Sequence, residues 1–241
     1  AREHPTGHVI TSELEHNSVL RPVEHLKARG NFTSTLLEAD VSGRLELDGL
    51  RNAIREDTRL IALTCASNVT GAVQPIEELA RIAADAEVPL VLDAAQAAGA
   101  IPMDYAALPG RVFLIFAGHK GLFGPAGTGG FVVPDEELEQ VFVGGTGIRS
   151  ESPVHPQELP LRHEAGTANL SGFAGLTAGV KWVGEKGVES LGRERADLVR
   201  ETRRRLEELP AVNLLPLLDD DGRAGIVSFT VDGHRPQEVG F

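Results

Sequence analysis

Short apolar runs alternate with longer stretches of helical periodicity along this chain. Residues 8–11, 60–65, 90–92 and 112–116 read as strands, and 128–133 as a further strand closed by Pro134. The run over 60–65 (Leu-Ile-Ala-Leu-Thr-Cys) is apolar on both faces, the mark of a strand buried on both sides. Residues 75–86 predict a helix with Pro75 in its first turn and Glu77 and Glu78 near its positive end. Residues 174–185 predict a helix of small and apolar residues. Residues 193–209 predict a long charged helix, with Ala196, Leu198, Val199, Leu206 and Leu209 as its apolar positions. Pro210 and Pro216 interrupt the chain after that helix, 219–222 reads as a turn, and 226–231 alternates like a half-exposed strand.

Continuous apolar strands alternating with helices imply an α/β fold, three-layered, with a mostly parallel sheet covered on both faces. A boundary near 187–193 divides a large domain (1–190) from the beginning of a smaller α+β domain (191–241). Ligands in open α/β sheets sit beyond the carboxyl ends of the strands, so the residues just after each strand carry the functional reading.

Composition narrows the possibilities. With 41% hydrophobic and 24% charged residues the chain is that of an ordinary globular protein. Its formal net charge of -12 disfavours nucleic acid and anionic membrane surfaces as partners. No apolar run is long enough to cross a bilayer, and the first residues hold no apolar core of a signal peptide, so a cytoplasmic location is expected. The lone Cys65 cannot form an internal disulfide. Lys27, Lys120, Lys181 and Lys186 are the only lysines, so a catalytic amine has few candidates.

Strand 90–92 is followed by Asp93-Ala-Ala-Gln96. A carboxylate there either caps the next element or pairs with a cationic ring nitrogen. Strand 112–116 is followed by Ala117-Gly118-His119-Lys120-Gly121 and then by a Gly-rich stretch. Lys120 is either a solvated or phosphate-binding loop lysine, or an amine whose burial favours Schiff-base chemistry. The stretch lacks the order of a P-loop, and no dinucleotide fingerprint occurs. Strand 60–65 is followed by Ala66-Ser67-Asn68-Val69-Thr70-Gly71, and strand 8–11 by Glu15-His16-Asn17-Ser18. Four strand ends thus offer His, Asn, Asp/Gln and Lys to one crevice.

These segments resemble the cysteine desulfurase and selenocysteine lyase branch of the class V aminotransferases, pyridoxal-phosphate (PLP) enzymes of fold type I. The resemblance rests on residues 11–22 (TSELEHNSVLRP), 66–71 (ASNVTG), 92–96 (LDAAQ), 118–125 (GHKGLFGP), 144–146 (GGT) and 162–169 (RHEAGTAN). It implies PLP held as a Schiff base on Lys120, which also moves the substrate's α-proton. Asp93 is implied to pair with the pyridine nitrogen, His16 to stack on the ring, Asn68 and Gln96 to lie near the phenolic oxygen, and His119 to help hold the phosphate. Thr146 would reach a neighbouring subunit's phosphate in a homodimer, and Arg162 and residues 164–167 would lie near the active-site mouth. The implied reaction takes sulfur from L-cysteine to give alanine and a persulfide, passed on to a possible acceptor protein.

The chain departs from the family pattern in three ways. Ala117 replaces a hydroxyl residue that would bond the phosphate. The chain begins at what resembles the family's second core strand. It stops before the loop that would carry the catalytic cysteine and a carboxylate-binding arginine. Cys65, at the end of a core strand, reads as a buried small hydrophobe rather than that nucleophile. Selenocysteine lyase, a C–S lyase, an epimerase and a transaminase share the same motifs. A truncated, non-catalytic assembly domain is the reading from a different class.

Overall fold

The computed structural model describes residues 5–134, 138–215 and 224–240. The strands β1 (Gly7–Ser12), β2 (Phe32–Leu37), β3 (Thr58–Thr64), β4 (Leu90–Asp93), β5 (Val112–Ala117) and β6 (Gly129–Val132) form one sheet in the order β2-β1-β3-β4-β5-β6. The first five run parallel, and β6 lies antiparallel beside β5. The mostly parallel α/β sheet implied by the apolar runs is therefore present. Register pairs Thr64 with Asp93 and Asp93 with Ile115, so β3, β4 and β5 end level with one another.

Helix α3 (Ile76–Asp85) follows the pattern that predicts it, burying Ile76, Leu79, Ala80 and Ala83 at i, i+3, i+4 and i+7. Pro75 sits at its cap position, one residue before the first turn. The helix ends with the Val88 N–H donating to the Ala83 carbonyl and the Glu87 N–H to that of Ala84, both 3.0 Å. This is a Schellman closure with Glu87, at φ 54°, in the place glycine usually takes. Two further helices, α4 (Leu170–Lys186) and α5 (Val188–Glu207), meet at Gly187. Both begin before their apolar patterns do. Asn169 starts α4 by accepting the Gly172 N–H at 3.0 Å. Gly187, at φ 81°, is the single residue that breaks the continuous helical run.

In the first half of the chain, α1 (Asn17–Ala28), β2 and α2 (Leu47–Ala53) have no counterpart among the apolar runs. The first is a helix that contains Pro22 and buries only Val23, so its periodic signal is weak. Strand β2 is an edge strand with Thr33 and Leu36 exposed.

The two faces of the sheet are unequally covered. Ile10, Ile61, Leu63, Leu90, Leu92, Val112 and Leu114 pack with Leu50 of α2 and with Leu79 and Ala80 of α3 in the main core. Each side chain as fully buried as Leu79 contributes about 1.5–3 kcal/mol over its exposed form. On the opposite face Val9 and Phe32 pack with Val23 and Leu26 of α1. Farther along that face, Leu60, Val91, Phe113, Ile115 and Phe131 line an open groove of about 370 Å³. The expected helical cover is complete on the first face and reaches only the β1–β2 end of the second.

A second, two-stranded antiparallel sheet joins β7 (Val212–Leu214) to β8 (Phe229–Val231), so the strand expected over 226–231 is confined to its last three residues. Pro216 and the turn expected at 219–222 lie outside the described residues. A short helix, α6 (Pro236–Val239), comes next. The segment before β8 leans on the loop after β3, where the Ala224 N–H donates to the Gly71 carbonyl at 3.0 Å and Ser228 Oγ donates to that of Val69. No helix of the described residues is long and apolar enough to cross a membrane.

Candidate active site

The loops that follow β1, β3, β4 and β5 emerge side by side, because those strands are parallel neighbours. Each loop carries sequence-predicted residues. Asp93 is the last residue of β4 and is buried. Its Oδ1 accepts the Ala95 N–H at 2.9 Å, and its backbone carbonyl accepts the Cys65 N–H at 2.9 Å. The carboxyl enters no ion pair among the described residues. It caps the turn that holds half-buried Gln96, so the capping reading and a ligand-facing role are compatible.

Lys120 lies three residues beyond the end of β5, in a tight turn. The Gly118 N–H donates to the Thr128 carbonyl at 2.8 Å, Gly124 to Gly118 at 2.7 Å and Phe123 to Lys120 at 3.0 Å. This turn packs against the one after β4 so closely that a Cβ on Gly99 would strike the Gly121 carbonyl. Asp93, Gln96 and Lys120 are thereby held on adjoining turns. Lys120 is half-buried rather than enclosed, and His119 is exposed. Ala117, at the end of β5, supplies no hydroxyl.

Asn68 is exposed on the turn after β3. Ser67 builds that turn, its Oγ accepting the Val69 and Thr70 N–H groups at 3.2 and 3.1 Å. His16 is exposed at the start of α1, where its Nδ1 accepts the Ser18 N–H at 3.1 Å. That bond caps the helix and fixes the ring's edge while leaving the ring exposed.

Thr146 lies apart, in the long loop after β6, where its hydroxyl donates to the Ile148 carbonyl at 3.0 Å. The structure joins its segment to the other loop motif, because the Gly166 N–H donates to the Gly145 carbonyl at 2.6 Å. Buried His155 reinforces the pairing with ring nitrogens 3.2 Å from the Gly144 carbonyl and 3.1 Å from that of Leu161. Arg162 is half-buried, and residues 164–167 are exposed.

Two strand-end groups answer differently from their surroundings. The Cys65 thiol lies in the core, and burial, helped by Asp93 and Glu15, pushes its pKa upward. It therefore holds no thiolate for nucleophilic work. Glu15 is the residue to which the sequence gives no role. It is 6% exposed, and burial raises its carboxyl to about 7. The available signal is an acid directly beyond a buried strand with no cation beside it in the chain.

The donor set fits a phosphorylated, cationic aromatic ring. Asp93 offers a buried carboxylate with no ion pair among the described residues, Lys120 a half-buried amine, and the glycine turn that carries Lys120 packs directly on the turn that follows Asp93. Comparisons with known proteins place the chain in a family. The family model for aminotransferase class-V matches residues 2–241. A probable cysteine desulfurase from Methanothermobacter thermautotrophicus is 31% identical over 236 residues, covering 96% of this chain and 58% of its own length. A cysteine desulfurase from an Enterobacter species is 31% identical over 246 residues, covering 100% of this chain and 59% of its own. The apo structure of a cysteine desulfurase from Thermococcus onnurineus NA1 superposes with a TM-score of 0.84 at 32% identity, covering 97% of this chain and 59% of that one. The chain thus spans somewhat under three-fifths of the relatives it matches. By sequence and fold together, it belongs to the class V aminotransferase family.

Proposed function

We propose that this chain forms the cofactor-binding part of a PLP-dependent enzyme of the cysteine desulfurase type. The observation that carries the reading is the placement of Asp93 at the end of β4 and of Lys120 on the turn that follows its parallel neighbour β5, the two turns being packed together. When bound, PLP would act as the electron sink for cleavage at an amino acid's carbons.

The residues of this chain supply the rest. The Lys120 amine would hold the cofactor covalently and, once freed by substrate, carry the α-proton. The Asp93 carboxylate would hold the ring nitrogen protonated, its own orientation fixed by the Ala95 N–H. His16, locked as the cap of α1, offers a flat ring to stack on the cofactor's face. Asn68 and Gln96 would bond the phenolic oxygen, while His119 and the backbone of the glycine turn would face the phosphate. Thr146 would complete a second subunit's phosphate site in a homodimer. The substrate is L-cysteine, the products alanine and a sulfur atom carried as a persulfide. Cys65 is the chain's only cysteine and is buried, so the accepting thiol comes from another segment or another protein.

The test is the near-visible spectrum of the purified chain with PLP, followed by borohydride reduction and peptide mapping. A single reduced adduct on Lys120, lost in Lys120→Ala, is expected, and alanine should form on adding L-cysteine with an external thiol. An adduct spread over Lys27, Lys181 and Lys186, or none, would sink the reading.

A further inference from the structure

We propose that Glu15 is a positioning residue of this site: a neutral carboxyl that ties the end of β1 to the end of β3 and so fixes the loop carrying His16 beside Asp93. The proposal rests on the cofactor-binding reading above.

The geometry is specific. Glu15 Oε1 accepts two hydrogen bonds, from Ser12 Oγ at 2.6 Å and from the Thr64 N–H at 2.9 Å. Ser12 ends β1 and Thr64 ends β3, and Thr64 is the register partner of Asp93. One carboxyl thus joins two strand ends at the point where the third, β4, delivers the ring-nitrogen partner. His16 is the next residue in the chain, so the tie sets where the ring of His16 begins. The second oxygen, Oε2, is buried with no hydrogen-bond partner.

That arrangement suits a carboxylic acid and not a carboxylate. A buried anion needs a cation or several donors, and leaving one without them is costly. The titratable groups acting on Glu15 from the packed elements are Asp93 of β4 and Cys65 just beyond β3, and neither is a cation. Glu13 and His16 flank it in the chain, and both are exposed. With the proton on Oε2, Oε1 still accepts both bonds. The crevice then keeps a single negative charge, that of Asp93, for the cofactor's ring. Burial, with a smaller push from Asp93, raises Glu15 from the usual 4.5 to about 7, against the opposing hydrogen bonds from Ser12 and Thr64.

The raised pKa fixes the sign of the pH effect. Between the unfolded and folded values the native protein keeps a proton that the unfolded chain has released. The stability this contributes is present below that window and is lost as pH rises through about 7.

The experiment is thermal unfolding of the full chain without cofactor from about pH 5 to about pH 9, for wild type, Glu15→Gln and Ser12→Ala. The wild-type midpoint is expected to fall by several degrees between the acid end of that range and about pH 7, and to level off above it. Glu15→Gln keeps the shape, cannot ionise, lacks this fall and melts above wild type on the alkaline side. Ser12→Ala removes a bond that favours the charged form and so extends the fall to higher pH. Parallel profiles for wild type and Glu15→Gln overturn the proposal. Should Glu15→Gln not fold, an unmoved fall in Ser12→Ala overturns it equally. The positioning role is read separately, as PLP trapped on Lys120 by borohydride across the same pH range. Trapping should decline in wild type above neutrality and stay level in Glu15→Gln. A decline of the same form in both overturns the role. A wild type that traps no PLP while its melting profile differs from that of Glu15→Gln defeats the cofactor reading and leaves the neutral tie standing.

Discussion

Glu15 and Glu201 are both glutamates held by hydrogen bonds, and their acidities move in opposite directions. Glu15 lies at the strand ends, where burial lifts its carboxyl to about 7. Glu201 lies on α5, where hydrogen bonds from Arg204 and Arg205 draw its carboxyl down to about 2. The guanidinium contacts are close, at 2.9 Å from Arg204 and 2.6 Å from Arg205. Neighbouring pairs repeat the pattern, with Arg204 on Glu208 at 2.6 Å and Arg200 beside Asp197. All of these side chains are well exposed. Solvent screens such pairs and each contributes little to stability. The strand ends obey the reverse rule. Glu15 and Asp93 are buried, they lie near one another, and neither enters an ion pair among the described residues. A region left short of positive charge in this way is where a ligand's cation is worth most. The density of charge on α5 is that of a solvated face, whereas the sparse, buried charge of the strand ends is what the proposed function draws on.

The contrast can be broken in several places. The largest effect is expected from Gly99→Ala. Gly99 has φ 72°, and a Cβ there would meet the Gly121 carbonyl. The substitution should cost about 2–4 kcal/mol, combining left-handed backbone strain with overpacking. Denaturant unfolding reads it directly, and a loss within about 0.5 kcal/mol of zero would mean the two turns are not packed as described. Next comes Asp93→Asn, which removes the charge and keeps the cap on Ala95. PLP affinity should fall by about 10- to 100-fold, the worth of one charge-assisted bond. A fluorescence titration measures this, and an unchanged affinity would move the counter-ion role to another group. The smallest effect belongs to Glu201→Gln. Its thermal midpoint at neutral pH and moderate salt should match wild type, and a drop comparable to that of Gly99→Ala would erase the distinction drawn between the two regions.

Most residues of the proposed site could be named from the sequence before any fold was known. Asp93, Gln96, Asn68, His119 and Lys120 come directly after apolar runs that are strands in the structure, and in an α/β sheet that position alone marks them for the ligand crevice. The parts of the fold that escaped notice are those whose stability is not written as an apolar run. Helix α1 buries one residue and holds a proline, and β2 draws its hydrogen bonds from β1 on one side only. The role of Glu15 escaped for a related reason. An acid after a strand reads as a solvated loop residue until its neighbours are known, and its burial is made by Ser12 and by Thr64, 49 residues away. Thr146 shows the limit from the other side. Its motif is recognisable, yet the partner that its loop finds, Gly166, is known only from the fold.

The sequence by itself determined which segments become buried strands and which chemical groups stand at their ends, because apolar periodicity and residue type are local properties. The tertiary structure decided the order in which those strands lie, the register that levels Thr64, Asp93 and Ile115, and the burial that makes Glu15 a weak acid. These depend on contacts between residues far apart in the chain. Local preference sets none of them, since desolvation and register exist only once the distant partners have met.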